Sequence, residues 1–161
     1  MRKTPLPLFP CLCSNFRRTS RALTQLYETA LRPVGLRATQ FTVLQLLSIV
    51  GREVSQGQMG EMLAMDSTSL TRTLAILIRQ GWIAERRGDN QRGEDRRERW
   101  LRLAGPGEEV LQRALPVWEG VQSQLRGQLG DDMWKDLFET TRHVASVAID
   151  SMPHNEGGGL L

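Results

Sequence analysis

From position 12 onward, apolar side chains recur at the three- and four-residue spacing that gathers them on one face of a helix. Leu12, Phe16, Leu23, Leu26 and Ala30 form that stripe, with Thr19 among them, while Arg17, Arg18, Arg21 and Gln25 fill the other faces. Pro33 and Gly35 predict a stop near residue 32. Residues 38–50 repeat the pattern with Phe41, Leu44, Leu47 and Ile49. They run into Gly51, a good stop because glycine tolerates left-handed backbone. A short third helix is predicted over residues 55–63, capped by Ser55, with Met59, Met62 and Leu63 facing inward. Ala64, Met65 and Asp66 form a turn. Asp66 or Ser67 then caps a fourth helix that runs to about residue 80, with Leu70, Leu74, Leu77 and Ile78 inward and Gly81 ending it. A short helix, a tight turn and a second helix have the lengths of a helix-turn-helix.

The period then changes. Trp82 to Arg86 reads as extended chain, and residues 89–95, flanked and interrupted by Gly88 and Gly93, read as a hairpin loop. Arg99-Trp100-Leu101-Arg102-Leu103 alternates polar with apolar and returns as a strand. Gly105-Pro106 opens another helix, carrying Val110, Leu111, Leu115, Val121, Leu125 and Leu129. Pro116 is expected to kink it or break it in two. A last helix spans residues 131–150, with Trp134, Leu137, Phe138, Thr141, Val144, Ala145 and Ala148 along one side. Residues 1–10 read as a loose arm and 151–161 as a flexible, glycine-rich tail. The expected fold is mainly α with a small β-hairpin wing: a winged helix-turn-helix with flanking dimerisation helices. Residues 1–150 form one winged-helix subunit, with a winged core at about 37–104 and dimerisation helices at about 12–32 and 106–150. So small a core leaves the broad apolar faces of the terminal helices uncovered, and a second copy of the chain is their natural partner.

Composition narrows the function class. The 161 residues are 40% hydrophobic and 24% charged, enough for a packed core and too balanced for a disordered chain. No apolar run approaches a membrane span, two cysteines make no disulfide scaffold, and a cytoplasmic location away from membranes is expected. The net charge of +3 hides an asymmetry. Residues 1–104 carry a net +8 and residues 105–161 a net −5, and Lys3 and Lys135 are the only lysines. Guanidiniums suit bidentate contact with phosphate and with guanine edges, although an arginine-rich composition also follows from codon usage.

The basic groups concentrate where a reader of duplex DNA needs them. Ser67, Thr68, Ser69, Thr71 and Arg72 lie on the polar side of the fourth helix. Short hydroxyls permit close approach, and an arginine reaches guanine N7 and O6 or a phosphate. From Glu85 to Arg102 there are seven arginines, Arg92, Arg96 and Arg97 among them, accompanied by five acids. A wing of this kind can place an arginine in a narrow minor groove, with Asp95 orienting a neighbouring guanidinium. The plainer alternatives are a solvated helix face and an exposed hairpin of paired charges.

These residues resemble the multiple-antibiotic-resistance regulator (MarR) family over roughly residues 12–150. The resemblance is carried by LRPVGLRATQFTVLQLL (31–47), SQGQMGEMLAMDSTSLTRTLAILIRQGWI (55–83), DRRERWLRL (95–103) and Gly107. It implies a homodimeric winged-helix transcription regulator on near-palindromic double-stranded DNA, with the dimer built from the first and last two helices. It places Ser67, Thr68, Ser69, Thr71 and Arg72 on the recognition helix. Asp95 and Arg97 match the family's wing Asp-x-Arg, with Arg97 the minor-groove candidate. Ala104 departs from the threonine usual after the wing strand, and residues 90–94 lengthen the wing around Arg92. A repressor that blocks polymerase by occupancy and is released by a small molecule is the expected mechanism; a winged-helix module that binds protein is the alternative.

The resemblance also implies a small aromatic or anionic effector between the dimer helices and the winged lobe. Phe16, Arg17, Ser20, Phe41, Leu44 and Trp118 are its candidate pocket, with ordinary packing as the competing explanation. Cys11 and Cys13 flank the first helix's entrance, where a thiolate is stabilised, so a redox or thiol-reactive sensor of the same fold is a further alternative. Leu12-Cys13 with Arg21 resembles the family's organic-peroxide-sensing branch. That branch has tyrosines where this chain has Arg17, Ala38 and Phe41. His143 and His154 sit in no metal-ligand cluster and beside no nucleophile, so neither metal, cofactor nor enzymatic activity is expected.

Overall fold

A computed structural model describes residues 10–151. The arm expected at the N-terminus and the tail from residue 152, with His154, lie outside the described residues, apart from Pro10 and Ser151 at their edges. Helix α1 (Leu12–Leu31) passes through a 3-10 turn (Arg32–Val34) into α2 (Ala38–Val50). Strand β1 (Val54–Ser55), α3 (Gln56–Leu63), α4 (Ser67–Arg79), β2 (Ile83–Arg87) and β3 (Arg99–Leu103) follow, and then α5 (Gly105–Leu129) and α6 (Asp131–Asp150). The strands form an antiparallel sheet in the order β1-β3-β2, with Val54 opposite Leu101 and Arg86 opposite Trp100.

Local chemistry sets the helix ends. Gly35 and Gly51 adopt left-handed backbone at the stops of the 3-10 turn and of α2. Ser55 Oγ accepts from the Gln58 N–H while Gln58 Oε1 accepts from the Ser55 N–H, so two otherwise orphaned donors are satisfied reciprocally. Asp66 Oδ1 accepts from the Ser69 N–H at 2.8 Å and starts α4. The first N–H of α2 is satisfied from a distance: Ala38 N–H donates to Glu28 of α1 at 3.0 Å.

One core joins these elements. Phe41, Val43, Leu44 and Leu47 of α2 meet Met59, Leu70, Leu74, Leu77, Ile83 and Leu101 of the winged unit. Val110, Leu111 and Ala114 from the first half of α5 close it. Gly107 is what lets α5 approach: a Cβ there would stand 2.1 Å from the Trp82 carbonyl oxygen.

The structure departs from the sequence reading in several places. Met62 is exposed, not inward, because α3 has only two turns and turns Met59 alone fully into the core. Ile49 also faces outward. β1 is a third strand that two residues were too few to announce. Pro116 does not break its helix: α5 continues unbroken to Leu129, the proline costing it one backbone donor in the middle of a long, well-anchored helix.

Candidate nucleic-acid interface

Every polar position predicted on α4 is exposed. Thr68, Ser69, Thr71 and Arg72 lie away from the buried Leu70, Leu74 and Leu77, as the 3.6-residue period requires, while Ser67 is exposed as the first residue of the helix. The Ser69 N–H holds the Asp66 carboxyl below its usual range, so the cap is ionised at neutral pH. Gln56, at the start of α3, donates to Thr71 Oγ1 at 2.9 Å.

The hairpin sorts its seven arginines into two groups. Arg86 bridges two acids, donating to Glu53 at 2.6 Å and to Glu94 at 2.6 Å, and lies 5.3 Å from the Trp100 ring centre. Its guanidinium draws the Glu94 carboxyl down to about 2 and lowers Glu53 as well. Arg99 donates to Glu85 at 2.5 Å and to Gln56 at 3.1 Å, and Arg87 to the Arg97 carbonyl at 3.3 Å. These three hold the wing's own shape. The side chains of Arg92, Arg96, Arg97 and Arg102 make no ion pair or hydrogen bond among the described residues. All four are exposed, and Arg92 lies near enough to Glu53 and Glu94 to help lower both carboxyls.

The loop between the strands is tightly built. Asp89 caps the 3-10 turn Asn90–Arg92, accepting from Gln91 N–H at 3.0 Å. Gly88 N–H donates to Glu98, and a Cβ on Gly88 would lie 2.0 Å from the Asp95 carbonyl oxygen, so only glycine fits between the two sides of the loop. Asp95 acts differently from the expectation: its carboxylate accepts from the backbone N–H of Arg97 at 2.7 Å, shaping the chain rather than orienting a guanidinium. The Glu53–Arg86–Glu94 bridge was not visible in the sequence reading. Glu53 lies 33 residues from its partner, and no local pattern links them.

The residues named for an effector are divided. Phe41 and Trp118 come together with ring centres 6.0 Å apart, and Leu44 is fully buried beside Phe41 in the core. Phe16, Arg17 and Ser20 are exposed on α1. Trp118 also lines a hollow of about 380 Å³ between α5 and α6, with Trp134 and Phe138. Cys11 and Cys13 are exposed free thiols. Ser14, by its hydroxyl and backbone N–H, lowers the Cys11 thiol, and Arg17 Nη2 lies 3.9 Å from Cys13 Sγ. No cluster of three or more His, Cys, Asp or Glu suited to a metal occurs among the described residues, and no helix there is long and apolar enough to cross a membrane.

Known proteins share both sequence and shape with this chain. A profile of the MarR family matches residues 34–97. The transcriptional regulator MosR of M. tuberculosis, solved in complex with DNA, is 30% identical; the match covers 89% of this chain and 99% of MosR, with a TM-score of 0.77. A mutant MarR of E. coli complexed with operator DNA is 22% identical over 83% of this chain and 92% of its own, with a TM-score of 0.71, and shares the fold. The HTH-type transcriptional regulator YwoH of Bacillus subtilis is 28% identical over 81 residues, half of this chain and 58% of that protein, so the match spans little more than half of that relative. These relatives are regulators of transcription and not enzymes. With α3 and α4 as the helix-turn-helix and β2 and β3 as the wing, the chain belongs to the MarR family of winged helix-turn-helix transcription regulators.

Proposed function

We propose that this protein regulates transcription by binding duplex DNA as a homodimer, most simply as a repressor that occupies a near-palindromic operator. The carrying observation is the pairing of an exposed hydroxyl-and-arginine face on α4 with exposed wing arginines whose side chains form no ion pair or hydrogen bond among the described residues. In this reading α4 enters a major groove and Ser67, Thr68, Ser69, Thr71 and Arg72 meet phosphates and base edges. Arg97, with Arg92 and Arg96 nearby, reaches the adjacent minor groove. The complex of MosR with DNA supports it. Full-length protein is expected to bind duplex DNA with an affinity that falls steeply with salt. Arg97→Ala and Arg72→Ala should each weaken it; unchanged affinity in both would sink the docking assignment.

The dimer is supported by apolar surface that stays uncovered among the described residues. Leu12 and Leu23 of α1 and Met133, Leu137, Phe138, Val147 and Ile149 of α6 are all exposed. Two copies joined along these helices, spanning about 12–32 and 106–150, would present two α4 helices one DNA turn apart. A species sedimenting as a monomer at micromolar concentration would contradict this. Release by a small aromatic or anionic effector near Phe41 and Trp118 fits the same geometry, in a cytoplasmic regulator. Thiol chemistry is the second reading, favoured by the exposed, acidified Cys11.

A further inference from the structure

Four side chains from four elements form one directed chain of hydrogen bonds. Glu85 on β2 accepts from Arg99 on β3 through Nε at 2.8 Å and Nη2 at 2.5 Å. Arg99 Nη1 donates to Gln56 Oε1 at 3.1 Å, and Gln56 Nε2 donates to Thr71 Oγ1 at 2.9 Å. The direction is set by chemistry. A guanidinium has donors only, so the Gln56 amide must turn its oxygen to Arg99, which leaves its N–H₂ for Thr71. Thr71 therefore has a lone pair occupied and its own proton to give. Thr73, two residues on, spends its proton on the Ser69 carbonyl at 3.0 Å. Thr71 makes no such bond among the described residues and is exposed.

We infer that Gln56, itself oriented by Arg99 and Glu85, is a positioning residue that makes the Thr71 hydroxyl a hydrogen-bond donor to an acceptor on duplex DNA, either a phosphate oxygen or a base-edge acceptor. This rests on the reading of α4 as the DNA-facing helix. It adds a polarity to that helix: Thr71 favours acceptors over the exocyclic amino groups of adenine and cytosine. It also ties the wing strands to the recognition helix, because Glu85 and Arg99 belong to the strands that carry the hairpin.

The test uses the full chain and the duplex it selects from a random-sequence pool. That duplex is remade with single methylphosphonates, or with single base analogues lacking purine N7, guanine O6 or thymine O4. For the unaltered protein, removal of one acceptor should weaken binding about two- to tenfold, and the arm in which it appears identifies phosphate or base. Thr71→Val removes the donor. Gln56→Glu keeps the Arg99 contact but accepts from Thr71 and turns its proton inward. Both variants should bind the parent duplex more weakly by a similar factor and lose sensitivity at that one acceptor, while every other position keeps its own. A merely structural role for Gln56 would lower affinity without erasing a single position. Retained sensitivity in Gln56→Glu overturns the inference, as does the absence of any acceptor whose loss affects only the unaltered protein. If the unaltered protein selects no duplex, the DNA-binding reading falls first and this falls with it.

Discussion

Gly107→Ala separates two opposed effects on the same helix. Alanine favours a helix interior over glycine by about 1 kcal/mol, so propensity alone predicts a more stable protein. Gly107, however, is buried where α5 crosses the base of the wing. Its added Cβ would lie 2.1 Å from the Trp82 carbonyl oxygen and 2.9 Å from Leu103 Cδ1. The Leu103 methyl can give way. The carbonyl cannot, because it accepts from Ala104 N–H at 3.0 Å and sits in the backbone just before β2. Restoring ordinary contact requires about 1.3 Å of movement between α5 and the wing base, in a core whose dispersion contacts fade over half that distance. Overpacking of this kind costs about 3 kcal/mol at the upper end of its range. Net of propensity, a loss of about 2 kcal/mol is expected, or a fall of roughly 4–8 °C in Tm for a chain of this size. Gly120, also on α5, has nothing within 4 Å of its would-be Cβ and serves as the control: Gly120→Ala should raise Tm. Thermal unfolding followed by circular dichroism at one fixed protein concentration reads both. A Gly107→Ala protein as stable as its parent would refute the close-approach argument.

Three further outcomes are expected. Gly88→Ala should leave the helical core and its Tm nearly unchanged but weaken DNA binding, since the 2.0 Å approach to the Asp95 carbonyl forces the wing loop open; equal affinity for DNA would show that the loop's shape does not matter. Glu94 is held at about 2 by Arg86, below its ordinary 4.5, so its contribution is whole above that ordinary value and fades as pH falls toward about 2. The Tm gap between the parent protein and Glu94→Gln should therefore close on acidification from about pH 6 to pH 2; a gap that widens would contradict the bridge. Under the thiol reading, a thiol-reactive oxidant should release DNA from the parent protein and leave a Cys11→Ser, Cys13→Ser double variant bound; equal release from both would exclude these cysteines.

Much of the fold was legible because its signals are local. Ser55 with Gln58, Asp66 with Ser69, and the left-handed Gly35 and Gly51 act within a few residues, so the helix-turn-helix could be bounded from sequence. Alternation in residues 99–103 marked the returning strand for the same reason. The exposed face of α4 was legible too, since burying Leu70, Leu74 and Leu77 on a 3.6-residue period fixes where Thr71 and Arg72 must lie.

Tertiary structure decided what each arginine is for. Seven guanidiniums in one hairpin are chemically alike, and only folding brings Glu53 to Arg86 across 33 residues and Gln56 to Arg99 across 43. It also turned Met62 outward, capped α2 with Glu28 and kept α5 continuous through Pro116. The sequence by itself determined the elements, their caps and the side of α4 that faces away from the core. The division between arginines that brace the wing and arginines that form no ion pair or hydrogen bond among the described residues is a tertiary property. Charge pairing depends on distance in space, and chain separation carries no record of it.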